Sequence, residues 1–76
     1  MRKSELASRI SKKTGLSMKD AVIAIEATFE VIASALIQGD EVSIANFGTL
    51  KTDSKAMPVF KPAKPLLRET KNKLKE

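Results

Sequence analysis

A chain of 76 residues with three Phe and no Trp, Tyr, His or Cys, carrying a net charge of +5, makes one small domain at most. So short a chain hides only about 60% of its unfolded surface. With no disulfide or zinc site to brace a thin aliphatic core, subunit association is the remaining remedy, and a dimer is expected. No apolar run reaches the roughly 18 residues that a membrane span needs. MRKSELASRISKK lacks the apolar core of a signal peptide, so the expected location is the cytoplasm. Catalysis would have to proceed without the His, Cys or Tyr that acid–base and nucleophilic chemistry uses most. No enzyme, cofactor or metal is therefore expected, and the pairs Glu26/Glu30 and Asp40/Glu41 read as solvated surface.

The first predicted helix spans about Lys3–Thr14. Ser4 is the expected N-cap, Glu5 complements the positive helix end, and Lys12 and Lys13 suit the last turn. Leu6, Ala7 and Ile10 make one apolar face, and Gly15 is a natural stop. Ser17-Met18-Lys19-Asp20 has the form of a capping box and opens a long helix, about Met18–Gln38. Met18, Val22, Ile25, Phe29, Ile32 and Leu36 recur at four-three-four-three-four spacing, a single apolar stripe. Ile23, Ala27, Val31, Ala35 and Ile37 widen it. One flanking helix and one small sheet cannot cover so broad a surface, which is a second argument for a partner subunit. Ile25, Phe29, Ile32 and Leu36 are the helix's expected contribution to the dimer core.

After Gly39-Asp40 the pattern changes to an antiparallel meander: Val42–Ala45, Thr49–Thr52 and Met57–Lys61. Val42 and Ile44 point to one face, Ser43 and Ala45 to the other. Asn46-Phe47-Gly48 tolerates a tight reversal, and Asp53-Ser54-Lys55-Ala56 forms a second polar turn, with Asp53 able to bond its own backbone. Such a sheet must lie on something, and the long helix is the expected support. Pro62 and Pro65 each push the lysine before them to extended geometry, and Pro65 is expected to start a third helix, about Pro65–Lys75. Leu67, Thr70 and Leu74 share one of its faces; Arg68, Lys71 and Lys75 line another. The order α-α-β-β-β-α, without repeat or linker, predicts one α+β domain over residues 1–76.

Charge is unevenly placed. Residues 1–50 hold six basic and six acidic side chains, whereas residues 51–76 hold eight basic and three acidic ones. This skew favours a polyanionic partner. No aromatic side chain is free to stack on bases, and no helix start offers Arg, Asn or Gln for reading the major groove.

Taken together, Lys3-Ser4-Glu5-Leu6, Gly15-Leu16-Ser17-Met18-Lys19-Asp20-Ala21, Phe29, Gly39-Asp40-Glu41-Val42, Asn46-Phe47-Gly48-Thr49-Leu50 and Pro58-Val59-Phe60-Lys61-Pro62-Ala63-Lys64 resemble the bacterial histone-like nucleoid proteins of the HU and integration-host-factor family. The resemblance covers nearly the whole chain. It implies an intertwined dimer whose two sheets form a saddle over double-stranded DNA, with Phe29, Phe47, Leu50 and Phe60 in the shared core. Leu50 stands where relatives usually carry Phe. By position, the resemblance implies phosphate contacts from Lys3, Asn46, Lys51, Lys61 and Lys64. Charge and proximity add Arg2, Lys55 and Arg68. The family's long ribbon arm and its wedging proline have no counterpart in Lys51–Pro58; the turn at about 52–57 is short, and Pro58 is not placed to wedge. The expected function is sequence-tolerant duplex binding without arm-driven kinking. The alternative is a protein-interaction role, pairing with or antagonising armed relatives as a heterodimer.

Overall fold

The computed structural model describes residues 1–74. Its elements run α1 (Lys3–Thr14), α2 (Met18–Ile37), β1 (Val42–Ile44), β2 (Gly48–Thr52), β3 (Pro58–Pro62) and α3 (Lys64–Leu74). The order is the expected α-α-β-β-β-α. Two compact units divide within α2, one covering Met1–Ile32 and the other beginning at Ala33. No helix among the described residues is long and apolar enough to cross a membrane.

In the first unit, α1 begins two residues earlier than a Ser4 cap requires. Arg2 occupies the N-cap position with extended backbone and no capping side-chain hydrogen bond, and the Leu6 N–H donates to the Arg2 carbonyl at 2.9 Å. Ser4 therefore lies inside the first turn. At the other end Gly15, at φ 82°, adopts the left-handed conformation that closes a helix most cheaply on glycine. The Ser17 cap forms as expected: the Asp20 N–H donates to Ser17 Oγ at 3.0 Å. Ala7, Ala21 and Ile25 are the buried core, flanked by Leu6, Ile10 and Val22. Two alanines at the contact keep side-chain bulk to a minimum where the helices meet.

In the second unit, α2 ends as its last carbonyls are taken up locally: Asp40 N–H donates to Ala35 O at 2.9 Å and Gly39 N–H to Leu36 O at 3.1 Å. The sheet order is β1-β2-β3, antiparallel throughout. β1 starts at Val42 and β2 ends at Thr52 as expected, but the other boundaries shift by one residue. Asn46 takes φ 67° and the Phe47 N–H closes on Ile44 O at 3.0 Å, so the reversal is complete early. β1 therefore stops at Ile44 and β2 starts at Gly48. At the second turn Ala56 takes φ 61°, which holds Met57 in the turn and moves β3 to Pro58–Pro62. The acidic turn residue acts as expected: Asp53 Oδ1 accepts from Lys55 N–H at 2.9 Å and Met57 N–H at 3.0 Å.

Register fixes the faces. Val42 and Phe60 both oppose Leu50, and Ile44 opposes Gly48, giving one apolar face. Gly48 is sterically required there, because a Cβ at this position would come within 2.5 Å of both Lys61 O and the Phe60 ring. Phe47 and Phe60 stack tilted, 5.1 Å between ring centres. Thr52 Oγ1 donates to Leu36 O at 2.7 Å, tying the sheet to the last turn of α2. The third helix starts at Lys64, so Lys64 is helical rather than extended and Pro65 is the second residue; the first turn needs no donor there. The expected end at Lys75 lies outside the described residues.

Candidate nucleic-acid interface

The face of the sheet opposite Leu50 and Phe60 is polar. Ser43 and Lys61 both oppose Thr49, and Lys51 opposes Val59. Directly opposed residues share a face, so Ser43, Thr49, Lys51, Val59 and Lys61 lie together. Lys51 and Lys61 are diagonal neighbours there, about 7–8 Å apart at the backbone. Strand alternation alone produces this sorting: each lysine is one residue removed from a core position, Lys51 from Leu50 and Lys61 from Phe60.

At the end of the sheet nearest the first turn lies a concavity of about 380 Å³. Asn46, Lys61 and Lys64 line it, with Gly48, Thr49 and Ala63. The left-handed Asn46 presents the loop, β3 supplies Lys61, and the Ala63 N–H, bonded to Phe47 O at 2.9 Å, fixes where α3 begins. Lys64 is thereby held at the first residue of α3. A second concavity, about 330 Å³, runs along α3 between Lys64, Leu67, Arg68, Lys71 and Asn72. Lys64 belongs to both. Asn46, Lys61, Lys64 and Arg68 are thus brought into one continuous tract. Lys51 shares the sheet face with Lys61 but lines neither concavity, and Lys55 stands apart in the β2–β3 turn.

Arg2 and Lys3 belong to the first unit. They rim an open apolar groove of about 410 Å³ with Leu6, Ile25 and Phe29. Lys3 Nζ is occupied: it pairs with Glu26 Oε2 at 2.7 Å. A phosphate would have to compete with that carboxylate. Lys71 joins the tract of Lys64 and Arg68 although it was not among the expected contacts; the spacing 64, 68, 71, one face of a helix, is the signal that marks it.

The residues expected in a dimer core divide by exposure. Ile25 is buried, and Ile32, Leu36 and Leu50 are half-buried. Phe29, Phe47 and Phe60 remain 55%, 47% and 43% exposed, and Ile37 84%.

Residues 1–58 match the family model described as bacterial DNA-binding protein. The chain belongs to the bacterial DNA-binding protein family. Within that family it is similar to the prophage-derived DNA-binding protein HU 2 of Bacillus subtilis, 33% identical with 96% of this chain and 100% of that protein covered. That alignment runs over 92 positions, more than the 76 residues present here. The DNA-binding protein HU of Geobacillus stearothermophilus is also 33% identical, over 87% of this chain and 94% of its own. The solved structure of HU from Thermotoga maritima superposes with a TM-score of 0.83 at 36% identity, covering 92% of this chain and 98% of that one. The helix and strand order matches that of its HU neighbours, and the chain is an HU-like DNA-binding protein.

Proposed function

We propose that two copies of this chain form a dimeric saddle that binds the phosphate backbone of double-stranded DNA without kinking it. The observation that carries this reading is the cationic tract from Asn46 and Lys61 to Lys64 and Arg68, in a chain of the bacterial DNA-binding protein family. Lysine is a flexible point charge and suits backbone contacts that follow no sequence. Lys51 extends the cationic sheet face, and Arg2, Lys3 and Lys55 supply further charge.

Dimerisation is supported by the apolar surface each protomer leaves uncovered. Phe29, Val31, Ile37, Phe47 and Phe60 are all exposed in the single chain. A monomer rarely presents so much large apolar side chain to water. Ile25, Ile32, Leu36 and Leu50, buried or half-buried in their own units, complete the proposed shared core. A mixed dimer with an armed relative would use the same surface, and native mass spectrometry of a mixture detects it; no separate observation favours an antagonist role.

The unkinked mode is supported by the β2–β3 turn. Between Thr52 and Pro58 stand only residues 53–57, and Asp53 and Lys55 leave that tip without net charge. Kinking requires an apolar wedge carried into the minor groove. A five-residue turn closed on its own aspartate has no reach of that kind. The longer alignment of the prophage relative fits extra residues that this chain lacks. DNA binding in a bacterial host places the protein with the nucleoid in the cytoplasm, whether its gene is chromosomal, phage or plasmid.

The test is the double variant Lys61→Ala/Lys64→Ala. Duplex binding is expected to weaken, and the slope of log K against log salt to fall by up to about 2 for each subunit engaged. An unchanged isotherm would place the interface elsewhere on the molecule.

A further inference from the structure

Helix α2 is apolar on two sides. Ile25 and Phe29, which the proposed dimer uses, lie about 40° apart round the helix. Ala27 is two residues from each of them, which puts it about 160° from both. Ile23, Ala27 and Val31, at i, i+4 and i+8, fall within an arc of about 80° centred there. All three are exposed, Ile23 by 53% and Val31 by 69%. A dimer closed over Phe29 leaves this second stripe in water. Along one edge of it stand Lys19 and Glu30, about 20° apart round the helix and about 16 Å apart along it. Neither has an ion-pair partner among the described residues; the two pairs present use Lys3, Glu26, Arg9 and Glu5. All of these residues belong to Met1–Ile32.

Resting on the proposed dimer, we infer that this stripe packs antiparallel on the same stripe of a second copy and so links one dimer to the next through α2. Charge selects both the occupant and the direction. Ile23 and Ala27 straddle the midpoint between Lys19 and Glu30. A twofold axis at that midpoint lays Ile23 over Ala27 of the other copy. It also sets the lysine of each copy against the glutamate of the other along their shared edge. Parallel copies would oppose lysine to lysine and glutamate to glutamate. The contact uses the same patch on both sides, and each dimer offers it twice, so dimers add to dimers. One stripe of a single helix is smaller than a standard interface. The link is therefore weak and forms only at high protein concentration.

The experiment is sedimentation velocity of the full chain without DNA, at concentrations up to about 1 mM. The wild type should pass from dimers to species of twice that mass and above as concentration rises. Ile23→Gln/Val31→Gln should hold the protein at the dimer, weakening the link by at least about tenfold. Lys19→Glu should weaken it by up to about tenfold, and Lys19→Glu/Glu30→Lys should restore it, which an apolar patch alone would not do. Each variant must melt with the wild type by circular dichroism; should the glutamine pair melt lower, the charge reversal and its rescue decide. Dimers alone at every concentration, or a charge swap that fails to restore association, would overturn the inference and leave the dimer standing. Monomers alone would remove the dimer, and this link with it. Self-association lost in the glutamine pair but indifferent to Phe47→Ala would make the stripe the primary dimer interface, which also overturns a link between dimers.

Discussion

Cations in the two units meet different fates. In Met1–Ile32, Lys3 sits 2.7 Å from Glu26 and Arg9 sits 2.8 Å from Glu5, so two positive charges are spent on neighbouring carboxylates. From Ala33 to Leu74 no ion pair forms among the described residues, although Lys51, Lys55, Lys61, Lys64, Arg68, Lys71 and Lys73 all lie there. Cores differ as well. The helical unit buries Ala7, Ala21 and Ile25 by itself, whereas the large apolar side chains of the sheet unit stay half-exposed. The helical unit pairs two of its cations and buries three side chains, yet leaves Phe29 and Val31 exposed. The other is left open twice over, with an apolar face that needs protein and a polar face that needs a polyanion.

The largest way to break that contrast is at the apolar face. Phe47→Ala should remove about 3–5 kcal/mol once the partner subunit covers that ring. Sedimentation equilibrium should then show dissociation at concentrations where the wild type stays dimeric, with a melting temperature that depends more steeply on concentration. A variant as dimeric and as stable as wild type would mean that the exposed aromatics are not interface. Next in size is Gly48→Ala. Its Cβ would meet Lys61 O and the Phe60 ring at 2.5 Å, an overpacking expected to cost about 1–3 kcal/mol and to loosen Lys61 along with the strand. Denaturant unfolding measures the loss; a neutral result would mean that β2 and β3 part readily.

Two smaller changes sharpen the comparison. Ala56 holds a left-handed φ of 61°, which penalises a side chain. Ala56→Gly should gain about 0.5–1 kcal/mol while leaving duplex affinity unchanged, since the turn lies away from the cationic tract. Altered affinity would bring the turn into the interface. Glu26→Gln frees Lys3 from its carboxylate. Stability should change by less than about 1 kcal/mol, because the pair is exposed, whereas the salt slope should steepen by up to about 1 per subunit as Lys3 turns to phosphate. No change in slope would mean that Lys3 faces away from DNA.

Much of this was legible in the residues. The four-three stripe from Met18 to Leu36 and the alternation around Leu50 and Phe60 located α2 and the sheet, because burying one face imposes those periods. Asp53 and Gly15 announced their turns through their own chemistry. The strand ends were less legible: Asn46-Phe47-Gly48 marked the first reversal without saying that Asn46 would end β1 at Ile44, and nothing in the sequence marked Ala56 for positive φ. Ser4 misled because a good capping residue two positions past the cap reads the same in sequence. Among the candidate contacts, Lys61 and Lys64 were marked by position and were brought together by the Ala63–Phe47 hydrogen bond. The Lys3–Glu26 pair joins residues 23 apart in sequence, a separation that no local pattern encodes.

The most direct measurement is a titration of an end-labelled duplex at two salt concentrations, read by both anisotropy and end-to-end energy transfer. With about 3–6 phosphates neutralised, affinity should fall with salt at a slope of about −0.9 per contact, and the energy transfer should stay at the value of free DNA. Binding that persists at high salt, or a rise in transfer that reports a sharply bent duplex, would contradict the unkinked saddle.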